Sequence, residues 1–138
     1  MAELEYRSKS AQDTKRFGER IGKTLHGGEV ILLTGVLGSG KTVITKGIAK
    51  ALGISAVVKS PSFTVMNEYE GPLRLYHFDF YRIEDHQEME DLLEDYMYSE
   101  EGVSVIEWGE KVEGVLDSYI RVDIDIDDAY RTIKVERK

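Results

Sequence analysis

The chain has 138 residues, with 18 Lys and Arg against 26 Asp and Glu, a formal net charge of −8 and no cysteine. That length fits a single domain spanning 1–138 with a core of its own, and the missing cysteines exclude disulfides, thiolate catalysis and Cys-based metal centres. No apolar run approaches the ~20 residues of a membrane span, and "MAELEYRSKS" lacks the apolar core of a secretion signal, so a cytoplasmic protein is expected.

Ser10 and Asp13 resemble a capping box, and Thr14, Phe17, Gly18, Ile21 and Leu25 then fall on one helical face. His26 to Gly28 ends that helix, and "EVILLTG" reads as a fully buried strand. The helix after Lys41 turns Val43, Ile44, Gly47, Ile48, Ala51 and Leu52 inward and stops at Gly53. "FTVMNEY" and "LRLYHFD" form a hairpin across "EGP". Met89, Leu92, Leu93 and Tyr96 have helical spacing, and "VSVIEW" is another short buried strand. "YIRVDIDID" alternates strictly, "DAYR" turns, and "TIKVER" returns as its antiparallel partner. The expected fold is an α/β sandwich with a mixed, partly antiparallel sheet.

From Ile83 to Glu110 there are eleven Asp or Glu residues and no Lys or Arg. Such a surface repels a phosphate backbone, so no direct nucleic-acid binding is expected of the chain alone. The run reads as a solvated helix face, with a docking face for a basic partner protein as the alternative.

Gly35, Gly40, Lys41 and Thr42 satisfy G-x-x-x-x-G-K-[ST] between an apolar strand and an amphipathic helix. Gly35, Gly38 and Gly40 allow backbone angles and close approach that a Cβ would block. Successive backbone N–H groups can then converge on a phosphate at the positive end of the helix. Lys41 reaches the β- and γ-oxygens, and Thr42 offers a hydroxyl to Mg²⁺. The metal also needs an acid at the end of a neighbouring strand, and Asp79 and Glu107 both fit; spacing does not rank them.

Guanine recognition by N-K-x-D is missing, because the single Asn, Asn67, precedes Glu, and no D-x-x-G is present. ATP is therefore favoured. A small-molecule kinase closes an Arg-bearing lid over the transferred group, whereas the mid-chain arginines Arg74 and Arg82 are sparse and the segment beside them is acidic. An ATP-hydrolysing or ATP-sensing domain with a conformational output remains the main reading. A P-loop kinase and a non-catalytic ATP-dependent binding module are the alternatives.

The phosphate loop together with "SPSFTV", "LYHFDFYR" and "VIEWGE" resembles the TsaE family, over most of the chain from the first helix to about Arg131. The resemblance implies a P-loop NTPase-like three-layer α/β fold and a slow, partner-dependent ATPase of tRNA threonylcarbamoyladenosine biosynthesis. It implies action with a heterodimer of the tRNA threonylcarbamoyl transferase and its inactive paralogue, which modifies adenosine 37 of tRNAs reading ANN codons. The ATPase would act on that complex and not on tRNA directly. By motif, Thr42 and Glu107 match the magnesium ligands, with Lys41, Asp79 and Glu107 as the catalytic set. Asp79 would position water or the outer metal sphere. Gly35, Gly38, Ser39, Gly40, Lys41, Thr42 and Val43 match the phosphate-binding stretch. Ser60 and Thr64 match a switch-like loop that responds to the γ-phosphate, and Ser10 and Arg131 flank the adenine. Trp108 would pack beside the metal ligand. Tyr76, Phe78, Phe80 and Tyr81 read as core and hairpin packing, and His77 as a hydrogen-bonded structural histidine.

Overall fold

Successive side chains of a strand point to opposite faces, so the central apolar strands of the sheet feed two separate cores. The computed structural model describes residues 3–36, 38–61 and 65–138. In chain order the elements are β1 (Glu3–Ser8), α1 (Ala11–Gly22), β2 (Val30–Thr34), α2 (Lys41–Ala51), β3 (Met66–Tyr69), β4 (Arg74–Asp79), α3 (His86–Glu94), β5 (Gly102–Glu107), a 3-10 helix (Glu110–Val115), β6 (Ile120–Asp127) and β7 (Tyr130–Arg137). The strands form one sheet in the order β1-β7-β6-β2-β5-β4-β3. The middle, β6-β2-β5-β4, is parallel; the pairs β1–β7, β6–β7 and β3–β4 are antiparallel. The mixed sheet expected from the sequence is therefore present.

Ile31 and Leu33 of β2 pack with Phe17 and Ile21 of α1 and Ile44 and Ile48 of α2. Val30 and Leu32 face the other way, onto Phe78, Phe80, Met89, Leu93 and Val112. The result is three layers: α1 and α2, the sheet, then α3 with the 3-10 helix. Each fully buried Phe or Ile in these layers contributes about 1.5–3 kcal/mol relative to exposure.

The two helices of the first layer touch backbone to backbone. A Cβ on Gly18 would stand 2.3 Å from Ile44 O, and one on Gly47 would stand 2.1 Å from Lys15 O. This contact sets where the N-terminus of α2, and with it the phosphate loop, stands relative to α1.

Several expectations are revised. The first strand, β1, precedes the first expected helix; its inward Tyr6 stacks on Phe17 with ring centres 5.0 Å apart. α1 ends at Gly22, so buried Leu25 packs from the following turn and not from the helix. At its start, Asp13 N–H donates to Ser10 Oγ at 3.0 Å, as a capping box requires. The reciprocal bond goes one residue early, from Lys9 N–H to Asp13 Oδ2. Tyr96 lies beyond the end of α3 and packs on Tyr76. "DAYR" is not all turn: Tyr130 and Arg131 already pair with Asp127 and Ile126, leaving Asp128 and Ala129 as the loop. Of the expected strand "FTVMNEY", Phe63 and Thr64 lie outside the described residues.

Candidate functional site: the groove at the phosphate loop

β2, β5 and β4 lie side by side and point the same way, so their C-terminal ends meet. The register sets Leu33 opposite Glu107 and Asp79 opposite Glu107. The phosphate loop leaves β2 at this edge, where ligands of open α/β sheets bind. Gly35 has φ 149°, and a Cβ there would meet Ser39 Oγ at 2.7 Å and Ile124 O at 2.8 Å. Gly40, with φ 115°, is the left-handed N-cap from which α2 starts.

Lys41, Thr42, Ser60, Asp79, Glu107 and Trp108 line one cleft together with Gly38, Gly40 and Val43. Lys41 is 5% exposed. Its Nζ donates to Gly35 O at 2.6 Å and stands 3.5 Å from the centre of the Trp108 ring. Desolvation pushes the Lys41 ammonium below its ordinary value, and the charges of Glu107, Glu110 and Asp79 oppose that shift. Thr42 Oγ1 and Ser60 Oγ share a hydrogen bond of 2.6 Å. Asp79 Oδ1 accepts the Tyr81 N–H at 3.0 Å. Burial raises the Asp79 carboxyl; the Tyr81 N–H works against this, and Glu107 adds to it. Glu107 is buried, and its Oε2 lies 2.5 Å from His77 Nε2.

A second cleft continues the first past Gly38, Gly40 and Val43, and is closed by Ser10, Ala11, Thr14, Ser39, Ala129 and Arg131. Pairing of β1 with β7 sets Ser8 opposite Arg131, which brings the start of α1 to the last hairpin. Arg131 Nε donates to Ser39 O at 3.1 Å and its Nη2 to Gly38 O at 3.5 Å, so this side chain braces the carbonyls of the phosphate loop. Ser10 Oγ is engaged by the cap of α1. Ser39 turns its Oγ into the protein, where it is buried and has no hydrogen-bond partner among the described residues, so its backbone is what it offers to the groove.

The structure thus brings Lys41, Thr42, Ser60, Asp79 and Glu107 together, with Ser10, Ser39 and Arg131 at the far end of the same groove. Thr64 lies outside the described residues. Val43 departs from its expected place in the core: it is half-exposed and borders both clefts, while Ile44, Thr45, Gly47, Ile48 and Ala49 form the buried side of α2. Tyr81 also departs from the packing expected of it. Tyr76, Phe78 and Phe80 are core, whereas Tyr81 is 51% exposed and leans on Trp108 with ring centres 4.9 Å apart. Trp108 itself has φ 58°, a left-handed turn directly after Glu107. His77 is hydrogen-bonded, as expected; its partner, Glu107, was not anticipated, although both side chains follow from strand parity once β4 and β5 are neighbours.

The oxygens of Thr42, Ser60, Asp79 and Glu107 are hard donors suited to Mg²⁺. Among the described residues no group of three or more His, Asp or Glu could hold a metal. A cation here would need further oxygens from water or a phosphate, as Mg²⁺ commonly does. Among the same residues no helix is long and apolar enough to cross a membrane. Six exposed acids, Glu84, Asp85, Glu88, Asp91, Glu94 and Asp95, cover α3 and its flanks. Asp85 among them also caps the helix, accepting from Gln87 N–H at 2.9 Å.

Comparison with known proteins is consistent throughout. The family model "Threonylcarbamoyl adenosine biosynthesis protein TsaE" matches residues 8–136. A protein of Treponema pallidum, named tRNA threonylcarbamoyladenosine biosynthesis protein TsaE, is 44% identical over 112 residues, covering 81% of this chain and 83% of its own. The Aquifex aeolicus protein of the same name is 38% identical over 135 residues, covering 94% of this chain and 92% of its own. The crystal structure of Bacillus subtilis YdiB superposes with a TM-score of 0.82 at 33% identity, over 97% of this chain and 84% of that one. With its phosphate loop, mixed sheet and these matches over nearly its whole length, the chain belongs to the TsaE family of tRNA threonylcarbamoyladenosine biosynthesis.

Proposed function

We propose that the protein binds ATP with Mg²⁺ along this groove and hydrolyses it slowly, in support of threonylcarbamoylation of adenosine 37 in tRNAs reading ANN codons. The observation that carries the reading is the convergence of Lys41, Thr42, Asp79 and Glu107 on one cleft at the mouth of the phosphate loop. Backbone N–H groups of residues 38–42 and the positive end of α2 favour a polyphosphate there. Lys41 exchanges Gly35 O for phosphate oxygens. Thr42 and Glu107 would hold Mg²⁺, which when bound would supply charge neutralisation to the phosphate chain. Asp79, with its raised carboxyl, orients the attacking water. Ser60, beside Thr42, responds to the γ-phosphate together with Thr64. Ser10 and Arg131 flank the adenine end, where Arg131 acts through the loop it braces.

The partner is the heterodimer of the tRNA threonylcarbamoyl transferase and its inactive paralogue, in the cytoplasm. With a net charge of −8 the chain acts on that complex and does not take up tRNA itself. Release of phosphate from radiolabelled ATP, measured with and without the heterodimer, tests this. Hydrolysis should be slow alone and rise when the heterodimer is added, and tRNA modification should require this protein. Unchanged hydrolysis, with modification equally efficient in its absence, would overturn the reading. Label appearing on a small-molecule acceptor would point to a kinase.

A further inference from the structure

His77 sits on β4 with its side chain on the same face as Leu75 and Asp79, and it is 0% exposed. It pairs with Val105 on β5, two positions before Glu107, and its Nε2 reaches Glu107 Oε2 at 2.5 Å. A carboxylate only accepts, so it is Nε2 that donates. The other ring nitrogen, Nδ1, is buried and has no hydrogen-bond partner among the described residues. A histidine serving only to pack β4 gains nothing from an orphaned ring nitrogen, and an apolar residue would fill the place without one. The engaged nitrogen is thus the side that counts, and what it engages is the acid at the cleft. Among the described residues the Lys41 Nζ bonds Gly35 O, and the hydrogen bond that holds the Glu107 carboxylate comes from His77.

We propose that His77 is a positioning residue for the metal ligand: its Nε2–H fixes the Glu107 carboxylate by one oxygen and turns the other toward the cleft beside Thr42. This rests on the assignment of Glu107 as the Mg²⁺ ligand above. Mg²⁺ demands near-ideal octahedral geometry, so a carboxylate free to rotate binds it poorly, and outer partners that lock a ligand raise affinity. The two acids of the cleft are held by different means, Asp79 by the Tyr81 N–H and Glu107 by an imidazole.

The test titrates Mn²⁺ into the full chain with ADP, reading unbound Mn²⁺ by electron paramagnetic resonance, and measures ADP affinity separately in EDTA. His77→Phe should weaken Mn²⁺ binding about 10–100-fold, the usual loss when an outer partner of a ligand is removed, with ADP affinity in EDTA unchanged. His77→Gln, whose amide N–H reaches the carboxylate, should recover most of the loss; the shorter His77→Asn should not. Wild-type Mn²⁺ affinity in the Phe and Asn variants, with Glu107→Gln impaired, overturns the positioning role and leaves Glu107 as the ligand. Wild-type affinity in Glu107→Gln as well removes both assignments. If His77→Phe fails to fold, the Gln and Asn variants decide alone, and equal affinities for them overturn the proposal.

Discussion

The Lys41 ammonium rests 3.5 Å from the centre of the Trp108 indole while its Nζ donates to Gly35 O at 2.6 Å. The lysine of the phosphate loop is thereby held by its own loop and by an aromatic face, a contact worth about 0.5–2 kcal/mol. Phosphate binding has to draw the ammonium off the ring, and Trp108 is the only tryptophan in the chain. Addition of ADP should therefore give a saturable change in tryptophan emission. Lys41→Met should begin at a different emission and respond little. A flat titration in the wild type, with ADP binding confirmed by calorimetry, would show that lysine and ring do not part.

Burial of Lys41 has a consequence for stability against pH. Its folded value lies below the 10.5 of the free side chain, chiefly through desolvation. Between the two values the unfolded chain holds the proton more tightly, so stability rises with pH across that window. Lys41→Met keeps the apolar stem and removes the charge. It should unfold at a higher temperature than the wild type at neutral pH, and the gap should narrow as pH approaches 10.5. Thermal melts across that range check it; a constant gap would contradict it.

Asp79 behaves in the opposite sense. Its carboxyl is raised above 3.8, burial being the main cause. A raised acid favours the folded state below its unfolded value, and that contribution is lost as pH climbs through the folded value. Asp79→Asn keeps an acceptor for the Tyr81 N–H and carries no charge. The variant should be more stable than the wild type at neutral pH, with the advantage fading toward pH 3.8. Its ATP hydrolysis should fall by about 10²-fold or more, the usual contribution of a positioned acid or base, while ADP still binds. Wild-type turnover in this variant would remove Asp79 from the chemistry.

At the helix contact, Gly47→Ala drives a methyl to within 2.1 Å of Lys15 O, and Gly18→Ala does the same at 2.3 Å from Ile44 O. Backbone atoms cannot step aside as a side chain can, so each variant should lose about 1–3 kcal/mol in urea unfolding. The double variant should lose less than the sum, since either methyl already parts the helices. ADP affinity should fall in both, because α2 carries the loop. Full stability in Gly47→Ala would mean that the two helices are not closely packed in solution.

Much of this architecture was legible in local pattern. Gly35 to Thr42 between an apolar strand and a helix fixes the loop, and strict alternation from Ile120 to Ile126 fixes the last hairpin. What escaped reading is what depends on strand order. Asp79 and Glu107 each look like an acid ending an apolar run, and only the parallel pairing of β4 with β5 sets them opposite one another. The same pairing joins His77 to Glu107, residues 30 apart in sequence. β1 offers only Leu4 and Tyr6 as alternating apolar positions, too few to separate an edge strand from a loop. Val43 fits an inward helical stripe equally well in sequence; the open groove beside it makes the difference.

The brace from Arg131 onto Gly38 and Ser39 spans more than ninety positions of the chain. During translation the ribosome therefore delivers the glycine-rich loop long before the residue that steadies it. A nascent polypeptide stalled within β6 exposes that loop without the Arg131 brace on Gly38 and Ser39, and with β1 lacking β7, its neighbour in the sheet. Until β7 emerges, unpaired edges on β1 and β6 leave such an intermediate prone to aggregate.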